Sequence, residues 1–197
     1  MKEVLPLSRS PRRTASALAS RRVAVAGIAV GLSAALLLSS GLLPVMTYAA
    51  PLAAGLVLVP VVLSIGRGWA LLTWVATALL TLLLGADKEA ALFYLFVGWY
   101  PAVKWMLEGH VRGKWPCLLL KALIFSLCLA AMYSLLAFVL HTEAVLAEFS
   151  ELGTAMTAAF FVLMLAVLLV YDRLIGPLTV LYVQRIEPRI AKAAPRK

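Results

Sequence analysis

The chain has 197 residues, 63% of them hydrophobic and 14% charged, with a formal net charge of +9. Soluble domains are roughly half apolar, and several runs here approach the ~20 residues that cross a bilayer as helix, so a water-soluble enzyme or binding domain is excluded. The basic residues sit in short loops and tails without the basic-aromatic modules of nucleic-acid binders; membrane orientation accounts for them, and no nucleic-acid partner is expected.

Residues 1–22 are polar and basic, with Arg9, Arg12, Arg13, Arg21 and Arg22, and read as a mobile cytoplasmic tail. The apolar run from Val23 to Leu43 is too long for the core of a secretory signal, which makes it an uncleaved first span. Small residues dominate it. Gly27 and Gly31 form a G-x-x-x-G pair on which a second helix backbone can approach closely, either a separate subunit or a neighbour in the same bundle. The second span, 47–65, carries Pro51 near its start and Pro60 inside, where the missing N–H should kink the helix. Gly66-Arg67-Gly68 reads as a tight turn. The third span, 69–86, opens with Trp69 and Trp74, which suit an interfacial anchor. Asp87-Lys88-Glu89 forms the next turn.

The fourth span, 90–108, organises the rest. At helical spacing Ala91, Tyr94, Gly98, Pro101, Trp105 and Glu108 share a face that mixes aromatic, flexible and charged groups. Leu92, Phe96, Trp99, Val103 and Met106 fall mostly elsewhere and suit lipid or bulk packing. Such a face has something other than lipid against it. A basic loop (109–116), a fifth span (117–141), an acidic and partly helical linker (142–154, with Glu143, Glu148 and Glu151) and a sixth span (155–182, bent late by Pro177) follow. Cys117 and Cys128 lie about 16 Å apart along one helix and cannot bridge each other there.

The fold expected is all-α: an integral membrane bundle of six transmembrane helices over 23–182, between basic tails at 1–22 and 183–197. Of the 18 Lys and Arg residues, Lys88 alone falls on the far side. The positive-inside rule then places both termini in the cytoplasm, in a bacterial plasma membrane.

Rise per residue puts Lys104, Lys121 and Asp172 in the inner third of the bilayer. An unpaired carboxylate there is costly by several kcal/mol, to order of magnitude. Asp172 is therefore expected to pair with Lys104 or Lys121, making spans four to six neighbours. A structural ion pair is the favoured reading and a proton or ion relay the alternative. In the outer half, Asp87, Glu89, Tyr94, Trp99, Tyr133 and Phe160, with His141, Met156 and Phe161, are candidates to line an outward-facing cavity between spans four to six. Aromatic walls with rim charges suit a small amphipathic solute. The alternative is a closed aromatic core capped by loop charges. No zinc-protease, nucleophile-elbow or phosphate-loop motif occurs, and the two histidines fall on opposite sides of the membrane. Neither catalysis nor a metal or other cofactor is expected.

Six helices in about 200 residues, with the segments RRVAVAGIAVGLSAALLL and KEAALFYLFVGWYPAVKWMLE, resemble the substrate-binding (S) components of energy-coupling factor transporters over roughly residues 20–185. That resemblance implies capture of a vitamin or metal ion from outside, ligand contacts from the outer loops and helices 4 to 6, and docking through the first helix to a transmembrane coupling subunit driven by ATPases. Gly27 and Gly31 stand where that family has Ala-x-x-x-Ala. The helix count is also similar to that of an MreD-like membrane scaffold without a transported ligand.

Overall fold

A computed structural model of the chain describes residues 11–43, 45–84, 87–111, 113–138 and 143–186, with side chains described from 18 to 136 within those bounds and over 156–184. The element order is α1 (Pro11–Leu38), a 3₁₀ turn (Ser40–Leu42), α2 (Met46–Leu56), α3 (Leu58–Ile65), α4 (Arg67–Leu83), α5 (Lys88–Val97), α6 (Tyr100–His110), α7 (Lys114–Phe138) and α8 (Glu143–Leu181), closed by a π-helical turn at Tyr182–Ile186. Five helical stretches among the described residues are long and apolar enough to cross a membrane: Leu18–Leu42, Met46–Ile65, Lys88–His110, Lys114–Leu136 and Met156–Gln184. The 17-residue α4 is a shorter apolar helix that reaches about 25 Å. Large apolar side chains such as Ile28, Leu72, Leu83, Leu119, Leu127 and Val162 point outward, as a lipid-facing surface requires. The chain is an all-α, multi-pass membrane protein.

Two spans are broken, each three residues ahead of a proline. Pro60 withholds the N–H that Leu56 O would accept, and α2 gives way to α3 at Val57; Pro101 does the same to Val97 O, and α5 gives way to α6 at Gly98-Trp99. Pro51 lies at the middle of α2, and Pro177 is carried inside α8.

α2 and α5 form the centre. α5 packs on α2, α4 and α7; α1 lies along α2 and α4; α8 packs on α7 and touches α3. The main core joins Val59, Phe93, Val97, Tyr100, Phe125, Leu129, Met132, Leu168 and Ile175. Lipid tails are as apolar as these side chains, so what this burial contributes is van der Waals packing rather than removal from water. One end of the bundle is fixed by Arg67 Nη1 donating to Met106 Sδ and by a Ser64–Tyr182 hydroxyl contact of 2.7 Å. At the other end Thr47 donates to Asp87.

Several boundaries differ from those expected. Residues 11–22 continue α1 as helix instead of forming a tail, and residues 1–10 and 187–197 lie outside the described residues. The turn before α4 shrinks to Gly66 alone, at φ 100°, a left-handed conformation that glycine adopts without steric cost. The acidic linker joins α8, which at 39 residues runs about 58 Å and exceeds one bilayer core. The one-sided face of the fourth span holds in part. Ala91, Tyr94, Gly98 and Pro101 are buried, and Phe96, Trp99, Val103 and Met106 are half-buried or exposed, as expected. Leu92, expected toward lipid, is 3% exposed, while Trp105 and Glu108 of the expected inner face are exposed. The first turns are enclosed because α2, α4 and α7 all pack on α5.

Candidate functional site

Two polar clusters sit at opposite ends of the bundle. At the Arg67 end, α6 presents Lys104 and Glu108 one turn apart, α7 presents Lys121 and α8 presents Asp172. Asp172 Oδ1 accepts from Tyr100 Oη at 2.5 Å and from Lys104 Nζ, and its Oδ2 accepts from Lys121 Nζ at 2.8 Å. Lys104 Nζ also donates to the Asp172 main-chain carbonyl at 2.8 Å. Glu108 Oε1 closes the ring, 3.1 Å from Lys104 Nζ and 2.5 Å from Lys121 Nζ. The side chains of Lys104, Lys121 and Asp172 are 7%, 7% and 4% exposed, against 37% for Glu108. Two cations and two anions leave no net charge, which is the form in which ionised groups are tolerated at low dielectric. Tyr100 reaches Asp172 because the α5–α6 break sets it at the head of α6, with its ring 4.7 Å from that of Phe125. The geometry is that of a clamp joining three spans.

At the opposite end, Asp87 is the N-cap of α5. Its Oδ1 accepts from Glu89 N–H and its Oδ2 from Thr47 Oγ1, both at 3.0 Å. Asp87 thereby ties α2 to α5. Glu89 Oε1 accepts from Tyr48 Oη at 2.5 Å and from Tyr133 Oη at 2.9 Å, and the two phenol oxygens lie 3.0 Å apart. Its other carboxylate oxygen accepts no hydrogen bond among the described residues. Rings surround this triad. Tyr48 meets Phe93 at 5.6 Å and Phe160 at 6.1 Å, and Tyr133 meets Phe161 at 5.4 Å and Phe160 at 6.1 Å, spacings typical of edge-on aromatic packing.

Of the outer-half candidates, the structure brings Asp87, Glu89, Tyr133, Phe160 and Phe161 to this end. Tyr94 and Trp99 are not with them. Tyr94 turns toward the first three spans, in a cluster with Leu37, Ala54 and Ala78. Trp99 sits at the α5–α6 break and donates from Nε1 to Phe96 O at 2.6 Å. Tyr94 lies on another side of the helix from Glu89 and Trp99 nearly three turns along it, so helical spacing alone did not select one lining face. Met156 is exposed, and His141 lies outside the described residues. Tyr48 was missed because it belongs to the second span; its signal was an aromatic hydroxyl at the level of the Asp87–Glu89 turn.

Gly27 and Gly31 lie on the outward face of α1, beside exposed Ile28 and Leu32, with no atom within 4 Å of where a Cβ would stand. They do not pack inside the bundle. Among the described residues, cavities open elsewhere. One of about 500 Å³ lies at the clamp, lined among others by Glu108, Lys114, Lys121, Asp172 and Arg173. Another, about 470 Å³ and apolar, runs between α2 and α8 along Leu52, Leu56, Val167 and Val170. No protein-family model, curated protein or solved structure matches the chain.

Proposed function

We propose that this chain is a solute-capture subunit of an ATP-driven importer in a bacterial plasma membrane. Its role is binding and delivery, with no catalytic step. In this reading the Glu89 end faces outward, while the Arg67 end and both termini face the cytoplasm, in keeping with the Lys and Arg distribution. Gly27 and Gly31 offer the surface for a transmembrane coupling subunit, which ATPases drive. The observation that carries the reading is the Glu89 triad. A half-buried carboxylate, held by two phenols and walled by phenylalanine rings, joins polar anchoring to aromatic contact. Release of the Tyr48 and Tyr133 hydroxyls from Glu89 is the opening step. The test is mass spectrometry of small molecules released from protein purified out of native membranes, with thermal-shift screening against vitamins and metal ions. Wild-type protein retains a solute that Glu89→Gln lacks. Protein that carries no solute and shifts with none defeats the reading.

A second reading is an MreD-like scaffold, which the ring packing favours: Tyr133 is 8% exposed and Phe93 fully buried, so these two rings of the aromatic end are covered by the chain's own side chains. The scaffold retains no ligand and co-purifies with cell-wall assembly proteins.

A further inference from the structure

The clamp is electrically closed, but the cavity beside it is not. Lys104 and Lys121 are matched by Glu108 and Asp172. Lys114 and Arg173 line the same cavity, both are exposed, and neither forms an ion pair among the described residues. Three cations (Lys114, Lys121 and Arg173) and two carboxylates (Glu108 and Asp172) line the cavity, so its wall carries one positive charge in excess, with Lys104 adding another behind it. Both lining carboxylates, Glu108 and Asp172, are already paired with the clamp lysines, which leaves Lys114 and Arg173 as the lining cations without a carboxylate partner among the described residues. Lys114 is also the first residue of α7, a 25-residue helix whose N-terminus adds partial positive charge. A guanidinium and an ammonium lining one cavity suit a phosphate, Arg173 through its planar fork and Lys114 as a point charge.

The surroundings of the mouth belong to the membrane interface. Trp115, Leu119 and Leu174 are 77%, 68% and 54% exposed next to these two cations. An exposed tryptophan beside basic residues and lipid-facing leucines marks headgroup level, and basic pockets between spans accept anionic headgroups. We infer that the cavity between the start of α7 and the last third of α8 binds a phosphate group, presented by an anionic phospholipid headgroup or as free phosphate, through Lys114 and Arg173. Its occupancy fills the charged gap beside Lys114 and Arg173, in front of the clamp.

The experiment uses the full chain in detergent. Native mass spectrometry compares retention of phosphatidylglycerol with that of phosphatidylcholine, and thermal-shift titration compares sodium phosphate with sodium chloride at equal ionic strength. Wild-type protein prefers phosphatidylglycerol, and K114Q/R173Q loses roughly tenfold or more of that preference, as removal of two interfacial cations implies. R173K keeps an intermediate preference, since it holds the charge and loses the fork. A phosphate-dependent shift in wild type but not in K114Q/R173Q, with no lipid preference, identifies free phosphate as the source. Equal lipid retention by wild type and K114Q/R173Q, with phosphate moving both or neither, overturns the inference. Both substituted side chains are exposed, and if the double variant fails to fold, K114Q and R173Q taken singly decide the outcome in the same way.

Discussion

Asp172 holds Lys104 twice, through carboxylate Oδ1 and through its own main-chain carbonyl. The first contact depends on side-chain charge and the second does not, so the two can be separated by substitution. Asp172→Ala leaves Lys104 and Lys121 facing Glu108 alone, with one buried positive charge unmatched. Removing one partner of a buried pair costs roughly 3–5 kcal/mol. The variant should show a strongly reduced folded yield and a lower midpoint in thermal unfolding monitored by size exclusion. Lys104→Met combined with Asp172→Leu restores charge balance, leaving Lys121 with Glu108, and should recover a large part of the loss. A double variant no better than Asp172→Ala would mean that the clamp's geometry, not its charge balance, sustains the fold.

Gly55 and Tyr171 make a second separable pair. A Cβ on Gly55 would overlap the Tyr171 hydroxyl, and that hydroxyl is buried without a hydrogen-bond partner among the described residues. Gly55→Ala should destabilise the bundle by about 1–3 kcal/mol, the range for overpacking. Tyr171→Phe removes the oxygen that clashes and gives up no hydrogen bond, so it should be neutral or slightly stabilising. The combined variant should return close to wild type. Failure of Tyr171→Phe to rescue would show that the hydroxyl is not the obstruction, since Gly98 Cα stands at an ordinary contact distance of 3.7 Å from the same Cβ position.

At the opposite end, Tyr48→Phe removes one of the two donors to Glu89 Oε1. A hydrogen bond to a charged group contributes about 1.5–3 kcal/mol, and the thermal midpoint should fall accordingly. Glu89→Gln keeps an acceptor oxygen in the same place and should cost less. If Glu89→Gln proves the more damaging of the two, the carboxylate's charge matters to the fold beyond its bonds to the phenols.

The spans were legible because apolar runs and helix-breaking residues act locally. Pro60 denies a hydrogen bond to the carbonyl four residues back, and the expected break falls three residues upstream of it; the like break ahead of Pro101, in a span read as continuous, was not expected. Depth along a helix is equally local, which is why Lys104, Lys121 and Asp172 could be set at one level before any packing was known. Lateral arrangement was not legible in the same way. Helical spacing gave the fourth span a distinct face, but a helix at the centre of a bundle has neighbours on every side, and Tyr94 answers to α1, α2 and α4 instead of to Glu89. Tyr48 shows the complementary failure. A residue 41 positions from its partner in sequence is found only when the packing of α2 against α5 is known.

The outward face of α1 supports the last prediction. Nothing stands within 4 Å of a Cβ on Gly27 or Gly31, so a side chain leaves the backbone at either position without a clash at its root. Leucine is the better helix former by several tenths of a kcal/mol in water, and exposed substitutions generally stay within about 0.5 kcal/mol. Gly27→Leu with Gly31→Leu should therefore leave the thermal midpoint of the isolated protein unchanged or raised. Close helix approach across a small-xxx-small surface is lost when bulky side chains replace it. If this face docks a coupling subunit, the same variant should fail to co-purify with membrane partners while keeping any bound solute. Partners retained at wild-type levels would assign the face to lipid, and a lowered midpoint in the isolated protein would mean that α1 packs more closely than its open surface implies.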